Sequence, residues 1–165
     1  MTTQTLQIQE LTSENANPYG TLISKTVKEP AYECEEFDFW NELAIEETSG
    51  VISVGMVEAR PQKLTATTFE RHTRTGELLA PLDGDVILVL GRPTDGSTPD
   101  VNQVEAFRLR SGAAILLKRG AWHYAPMVSD KPVRVLVVFR KGTPDDDLEM
   151  HKIDEEIGMR FEVVQ

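Results

Sequence analysis

The amino-acid sequence predicts a mainly β protein, a single domain over residues 1–165 in which short strands form a barrel. Three observations support this class. Short apolar stretches crowd residues 51–140, and each ends at a turn signal. Several of them alternate with the period of two that is typical of half-buried strands. Helical patterns are confined to the ends of the chain. We therefore expect the barrel core over about residues 51–140, with short terminal helices.

The predicted strands follow one another with little sequence between them. Six segments are β-branched, apolar or alternating: residues 51–57, 64–71, 86–90, 104–110, 113–117 and 133–139. The weaker helical patterns predict a turn or two at residues 42–47 and a short amphipathic helix at 144–157. Many short strands with little helix between them favour a closed, jelly-roll-like barrel over a parallel α/β sheet.

The composition excludes several classes of function. Hydrophobic residues make up 40% of the chain and charged residues 27%, as in an ordinary folded domain. The net charge of −10 repels phosphate backbones and anionic lipid headgroups, so we expect no nucleic-acid partner and no membrane partner. We expect no secretion signal, because residues 1–10 have neither a basic region nor an apolar core, and Cys34 has no second cysteine to pair with. A cytoplasmic location is expected.

The first candidate site segment places polar side chains on one face of a strand. Side chains two residues apart point the same way in a strand, so Glu70, His72 and Arg74 share a face. If that face looks into the barrel, a carboxylate, a base and a cation meet in one cavity. Gly76 permits a bend that brings Glu77 alongside them. The alternative is a surface strand with ordinary charges.

The second segment, residues 112–126, combines a strand, a tight turn at Gly120 and a histidine, His123, between two aromatic residues. A lone histidine in such surroundings is more often a hydrogen-bonded core residue. Because a second histidine is available in the first segment, the two segments together predict one site. We expect that site to be built around His72, Glu77 and His123.

The spacing of these residues resembles the two cupin motifs. Glu77 followed by Gly84 resembles the end of the first motif, and residues 112–123 resemble the second. The paired histidines of the first motif correspond here to His72 and Arg74, which removes one of the four metal ligands usual in cupins. Three candidate ligands remain: His72, Glu77 and His123. Two imidazoles and a carboxylate can hold a divalent metal with open coordination positions.

The presence of a metal is left open by the sequence. The gap of two residues between Arg74 and Glu77 is shorter than the usual gap in cupins. Both a site with one divalent metal (zinc, manganese, iron or nickel) and a site with no metal are therefore consistent with the pattern.

A closer resemblance, over most of the chain, is to the ureidoglycolate lyase family. Five segments carry it: residues 11–20, 70–72, 76–86, 100–107 and 120–123. Two departures fall within the expected site, because Glu77 stands where the family has glutamine and Tyr124 where it has a second histidine. The resemblance implies a cupin-type barrel, a homodimer and a role in allantoin degradation, a part of purine catabolism.

The resemblance also implies the reaction, which splits ureidoglycolate into glyoxylate and urea. A base removes the hydroxyl proton of this hemiaminal while an acid protonates the departing urea nitrogen. His72 or His123 is the expected base, because histidine titrates near neutral pH. Glu77 is expected to orient a histidine or to bind the metal, and Tyr124 to act as an auxiliary proton donor.

Substrate binding is assigned to three further residues. Arg74, or Arg71 if the strand faces the other way, is expected to bind the carboxylate of a small substrate through charge-assisted hydrogen bonds. Trp122 is expected to line the substrate site.

Two other functions are compatible with the sequence. One is a metal-dependent cupin, an isomerase or dioxygenase that acts on another small oxygenated acid or sugar. The other is a cupin without catalytic activity that senses or stores a small anion. Tightly bound metal without ureidoglycolate cleavage would indicate the first, and ligand binding without turnover would indicate the second.

Overall fold

The computed structural model describes all residues 1–165. Its fifteen strands, in chain order, are β1 (Thr2–Glu10), β2 (Gly20–Ile23), β3 (Tyr32–Glu33), β4 (Asp38–Phe39), β5 (Ile52–Ala59), β6 (Thr65–Ala66), β7 (Thr68–Arg71), β8 (Glu77–Pro81), β9 (Val86–Gly91), β10 (Val104–Leu109), β11 (Ala114–Leu117), β12 (Trp122–His123), β13 (Val133–Arg140), β14 (Glu149–Lys152) and β15 (Met159–Val164). The short helices are α1 (Ser13–Ala16), α2 (Thr143–Asp146) and α3 (Ile153–Glu156), with a 3-10 turn at Val101–Gln103.

The strands form two large sheets and one small hairpin. The eight-stranded sheet has the order β14-β7-β12-β9-β10-β1-β15-β6, and the five-stranded sheet has the order β2-β11-β8-β13-β5. Strands β3 and β4 pair only with each other. Most pairs are antiparallel, but β1 lies parallel to both β10 and β15, so the first and last strands are neighbours.

The main core lies between the two large sheets. Strand β9 contributes one of its two faces to this core and is apolar throughout. Val86, Leu88 and Leu90 contribute to the cluster between the sheets, whereas Ile87 and Val89 contribute to a second cluster on the opposite face. Successive side chains of a strand point to opposite faces, so a strand buried on both faces must be apolar at every position.

The second cluster lies inside a curl of the eight-stranded sheet. Phe69 of β7 and Phe161 of β15 belong to strands that are well separated in the sheet order, yet their ring centroids lie 5.9 Å apart with an edge-to-face geometry. The two ends of the sheet must therefore bend toward each other around this cluster, which gives a half-barrel. The predicted mainly β class is confirmed.

The structure corrects the predicted terminal elements. Residues 42–47 form no helix, and the Glu46 side chain instead accepts hydrogen bonds from the Gly76 amide and the Arg119 guanidinium. Residues 144–157 form two single-turn helices separated by β14, which pairs with β7. Such short segments gain little from helix formation alone, so tertiary partners decide their conformation.

Strands β1 and β15 lie outside the predicted core of about residues 51–140. That the whole chain forms a single domain stays a prediction. None of the helices has the length and apolarity needed to cross a membrane.

Candidate active site

Four side chains converge between the two sheets, at the ends of short strands. Glu70 of β7 and His123 of β12 are register partners, and His123 is also the partner of Leu90, whose side chain lies in the main core. Cross-strand partners share a face, so Glu70 and His123 both point between the sheets. His72 lies just after β7, and Glu77 begins β8 in the opposite sheet.

The charged atoms of these residues lie within contact distance. Glu77 Oε2 is 2.9 Å from His123 Nε2 and 3.5 Å from His72 Nε2. Glu70 Oε1 is 3.4 Å from His123 Nε2. The two histidines and Glu77 are buried, whereas the Glu70 side chain is 31% exposed. Glu70 is therefore the member of the group that most readily contacts solvent.

Backbone carbonyls orient both histidine rings. His72 Nδ1 lies 2.7 Å from the Asp147 carbonyl oxygen, and His123 Nδ1 lies 3.2 Å from that of Ala121. A carbonyl can only accept a hydrogen bond, so each Nδ1 carries a proton and donates it. In the neutral form of each ring the Nε2 lone pair is then free, and both Nε2 atoms face Glu77.

The carboxylates change the protonation of the metal-free site. Burial disfavours a charged His123, but the Glu77 carboxylate, helped by Glu70, outweighs burial and raises the pKa of His123 to about 10. Burial likewise disfavours the Glu77 anion, but His123 and His72 lower the pKa of Glu77 to about 2. The pKa of His72 is raised despite burial, through Glu77 and the Asp147 carbonyl. Without a metal, the site is a buried imidazolium–carboxylate pair at neutral pH.

The same residues fit a divalent metal. Ligand atoms of Glu70, His72 and His123 lie within 4.8 Å of one another. Glu77 Oε2 and His123 Nε2 are buried atoms without a hydrogen-bond partner, although they lie only 2.9 Å apart. Buried polar atoms rarely lack a partner, and a cation between these two would satisfy both. A carboxylate and imidazole set with free Nε2 lone pairs is the donor type that divalent transition metals prefer.

A pocket of about 290 Å³ opens onto Glu70, His72 and Glu77. Its remaining wall consists of residues from β5 and β13 and of Pro144 and Leu148, and it contains no arginine or lysine. A larger pocket of about 380 Å³ elsewhere on the protein shares no residue with this one. The volume at the site suits a small molecule.

Comparison with known proteins identifies the family. The family model described as ureidoglycolate lyase matches residues 3–160. The chain belongs to the ureidoglycolate lyase family. A ureidoglycolate lyase of Stutzerimonas stutzeri (strain A1501) is 30% identical over 155 residues, which cover 85% of each chain. One of Pseudomonas putida (strain W619) is 28% identical over 160 residues, which cover 93% of this chain and 95% of the relative.

Among solved structures, the oxalate decarboxylase of Lactobacillus farciminis in its formate complex is similar with a TM-score of 0.44 and 17% identity. The match covers 63% of this chain and 27% of that chain. The family membership predicted from the sequence is confirmed by the family model and the relatives, and with it the lyase class.

Glu70 is part of the converging group but was not among the predicted site residues. Glu70 shares a face with His72, as the period of two indicates, but it was not predicted to bind a metal or substrate. In the structure the two residues of this segment that reach the site with Glu77 are Glu70 and His72, whereas Arg74 pairs with Asp146.

The three residues predicted to bind substrate do not reach the site. Arg71 lies on the opposite face of β7, where its guanidinium stacks 4.5 Å from the centroid of the buried Trp122 ring and pairs with Glu149 at 2.7 Å. Arg71 follows the inward-facing Glu70, and Trp122 precedes the inward-facing His123. Successive side chains of a strand point to opposite faces, so Arg71 and Trp122 point outward. Arg74 lies in the loop after the strand, and its exposed guanidinium pairs with Asp146 at 3.3 Å.

Tyr124 lies beside the site and does not line the pocket of about 290 Å³. It lines a neighbouring pocket of about 230 Å³ together with Glu70 and His123. Glu70 therefore borders both pockets.

Proposed function

We propose that the protein cleaves ureidoglycolate into glyoxylate and urea at the site formed by Glu70, His72, Glu77 and His123. The observation that carries this proposal is the convergence of two Nε2 atoms and a buried carboxylate on one point, in a member of the ureidoglycolate lyase family. The alternatives predicted from the sequence, an isomerase or dioxygenase and an anion-binding protein, receive no comparable support.

The reaction requires two proton transfers and no redox step. The hydroxyl of the hemiaminal carbon loses its proton, its electrons form the carbonyl of glyoxylate, and the carbon–nitrogen bond breaks. The departing nitrogen takes a proton and leaves as urea. In the metal-free site, His72 Nε2 can accept the first proton, and protonated His123, which forms an ion pair with Glu77, can donate a proton to the nitrogen. Each transfer contributes about 10²–10⁴-fold to the rate.

We propose further that these four residues hold one divalent metal: zinc, manganese, iron or nickel. The unpartnered Glu77 Oε2 and His123 Nε2 support this proposal. A metal bound there supplies Lewis-acid chemistry that lowers the pKa of a hydroxyl group. In that form the four residues serve as ligands, and the group left to move protons beside the site is Tyr124, which lines the neighbouring pocket.

The pocket also limits how the substrate carboxylate can be bound. No arginine or lysine lines the pocket. The positive charge that binds the substrate carboxylate must therefore come from a protonated His72 or His123, or from the metal. We therefore reassign carboxylate binding from Arg71 and Arg74 to the centre of the site. Arg71 and Trp122 instead support β7 and β12 from the opposite face.

A coupled assay for urea and glyoxylate tests the proposed function. Purified protein is incubated with each enantiomer of ureidoglycolate, with and without added divalent metal. We expect equal amounts of the two products from one enantiomer. No product under any of these conditions would overturn the proposal, and turnover of a different small acid by a metal-loaded protein would favour the isomerase or dioxygenase.

We also propose that the protein is a homodimer that associates through the outer face of its five-stranded sheet. Two cross-strand rows of uncharged side chains define this apolar face: Leu116, Leu78, Val138 and Val54 in one, and Ala80, Leu136 and Met56 in the other. Val54 is 61% exposed and Met56 is 56% exposed, and the other five are half-buried. Contiguous exposed apolar patches of this kind are typical of protein interfaces.

A second copy of the chain fits this face in charge and size. The rows carry no charge, and the adjacent register pair, Arg134 and Glu58, adds one charge of each sign at the rim. The net charge of −10 is thus not concentrated at the contact. The four strands that carry the two rows, spaced about 4.8 Å apart and about 20 Å long, give about 400 Å² in projection. Side-chain relief and the rim add to this area, toward the roughly 800 Å² per partner of stable interfaces.

The substitution Leu136→Glu should convert the dimer to a monomer, because it places a charge at the centre of the apolar face. Light scattering at micromolar concentration measures the change. Ile157→Glu, at an exposed apolar residue outside this sheet, is the matched control and should remain dimeric. A wild-type protein that is monomeric, or a Leu136→Glu variant that stays dimeric, would contradict the proposed interface.

The remaining predictions concern the cell. We propose a cytoplasmic enzyme of allantoin degradation that acts on a small carboxylate substrate. The family description supports the pathway, and the strongly negative charge supports the absence of a nucleic-acid or membrane partner.

A further inference from the structure

Asp147 contacts the site segment through both its side chain and its backbone. Its buried carboxylate accepts hydrogen bonds from the Thr73 amide at 2.9 Å, the Thr73 hydroxyl at 3.1 Å and the Arg74 amide at 2.9 Å. Its carbonyl oxygen accepts the hydrogen bond from His72 Nδ1 at 2.7 Å. One residue therefore contacts His72 and both of the residues that follow it.

This double contact matters because His72 lies outside the regular sheet. Strand β7 ends at Arg71, and β8 begins at Glu77, so residues 72–76 lack the ladder that orients the strand residues. The Asp147 carboxylate gives the amides of Thr73 and Arg74 the hydrogen-bond acceptor that a neighbouring strand gives to the amides of β7. The carboxylate anchors the loop to the segment after α2 and so sets the distance between the His72 ring and the Asp147 carbonyl.

We propose that Asp147 is a positioning residue for His72. Its carboxylate holds the loop, its carbonyl keeps the proton on Nδ1, and the Nε2 lone pair is thereby directed at the Glu77 carboxylate, 3.5 Å away. Partners that orient a metal-binding or catalytic histidine typically change metal affinity or activity about 10–100-fold when they are lost. The catalytic consequence rests on the proposed lyase function, whereas the orientation of His72 does not.

The nearly isosteric variant Asp147→Asn tests this role. Its amide keeps one acceptor oxygen for Thr73 but turns an N–H donor toward the Arg74 amide, so the anchor is broken without a large change in shape. Asp146→Asn is the matched control, because the Asp146 carboxylate is exposed and pairs with the guanidinium groups of Arg74 and Arg140 rather than with the loop backbone.

Nitrogen-15 NMR of the histidine rings measures the orientation directly in metal-free protein at high pH, where the rings are neutral. The chain has only three histidines, so a His151→Ala variant assigns the one outside the site. We expect His72 in the Nδ1–H tautomer in wild type and Asp146→Asn, and a mixture of tautomers in Asp147→Asn. We also expect kcat to fall about 10–100-fold in Asp147→Asn, with a smaller change in KM.

The proposal is overturned if Asp147→Asn folds and leaves His72 in the Nδ1–H tautomer. If Asp147→Asn does not fold, Thr73→Ala decides, because it removes one of the three hydrogen bonds to the carboxylate. It should shift the tautomer in the same direction to a smaller extent, and an unchanged spectrum would overturn the proposal. A wild type that fails to cleave ureidoglycolate would refute the proposed function and leave the NMR result to decide the role of Asp147.

Discussion

His123→Ala should lower kcat for ureidoglycolate cleavage by at least about 100-fold, the largest effect that we expect from a single substitution. His123 Nε2 contacts Glu77 at 2.9 Å and Glu70 at 3.4 Å, so the imidazole is central to the site. With or without a metal the variant should be inactive, because it removes either a ligand or a group that transfers a proton. It also removes the imidazole that contacts both the Glu77 and the Glu70 carboxylates.

The measurement is a steady-state assay of urea and glyoxylate on variants whose fold is checked by circular dichroism. His151→Ala is the control, because His151 pairs with Glu156 outside the site. It should retain activity close to that of wild type. A folded His123→Ala variant with wild-type kcat would show that the reaction takes place elsewhere on the protein.

Glu77→Gln should lower both metal content and activity by about tenfold or more. The substitution removes the negative charge of a buried proposed ligand with almost no change in shape, and loss of this charge should cost at least the lower end of the roughly 10–100-fold range seen for residues that only support ligands. Added metal should restore part of the activity. The unpartnered Glu77 Oε2 and His123 Nε2 are the reason to expect this result.

The opposite result is equally informative, because the resemblance to the family implies glutamine at this position. If Glu77 serves only to orient a histidine, Glu77→Gln should leave metal content unchanged and the lyase activity should persist or rise. Elemental analysis of wild type and variant, beside their steady-state rates, separates the two mechanisms. Glu70→Gln provides a comparison, and its effect should be smaller because Glu70 is partly exposed.

The strands illustrate how far local sequence patterns reach. The apolar run at 86–90 and the alternating run at 104–110 both lie in strands, because burial on two faces or on one face leaves a direct mark on composition. Strand β1 carries no comparable mark. It is mostly polar and pairs in parallel with β10 and β15, partners that lie far along the chain. Parallel pairing to distant segments leaves no turn signal nearby, so this strand was not predicted.

The site shows the same division between local and long-range information. His72, Glu77 and His123 were predicted together from two motif-like segments, and the structure brings them within contact distance. Their roles stay predictions. Glu70 could have been added, since the period of two already placed it beside His72.

The mainly β class and the grouping of His72, Glu77 and His123 were predicted from the sequence, because strand periodicity and motif spacing are local properties. The ureidoglycolate lyase family was predicted from the resemblance of five segments of the chain to that family. The outward direction of Arg71, the pairing of Arg74 with Asp146 and the contact of Asp147 with His72 depend on tertiary contacts. Asp147 and His72 are 75 residues apart, and no spacing rule links a carbonyl oxygen to an imidazole over that distance. Such pairs are selected only when the sheets pack and each buried polar group must find a partner.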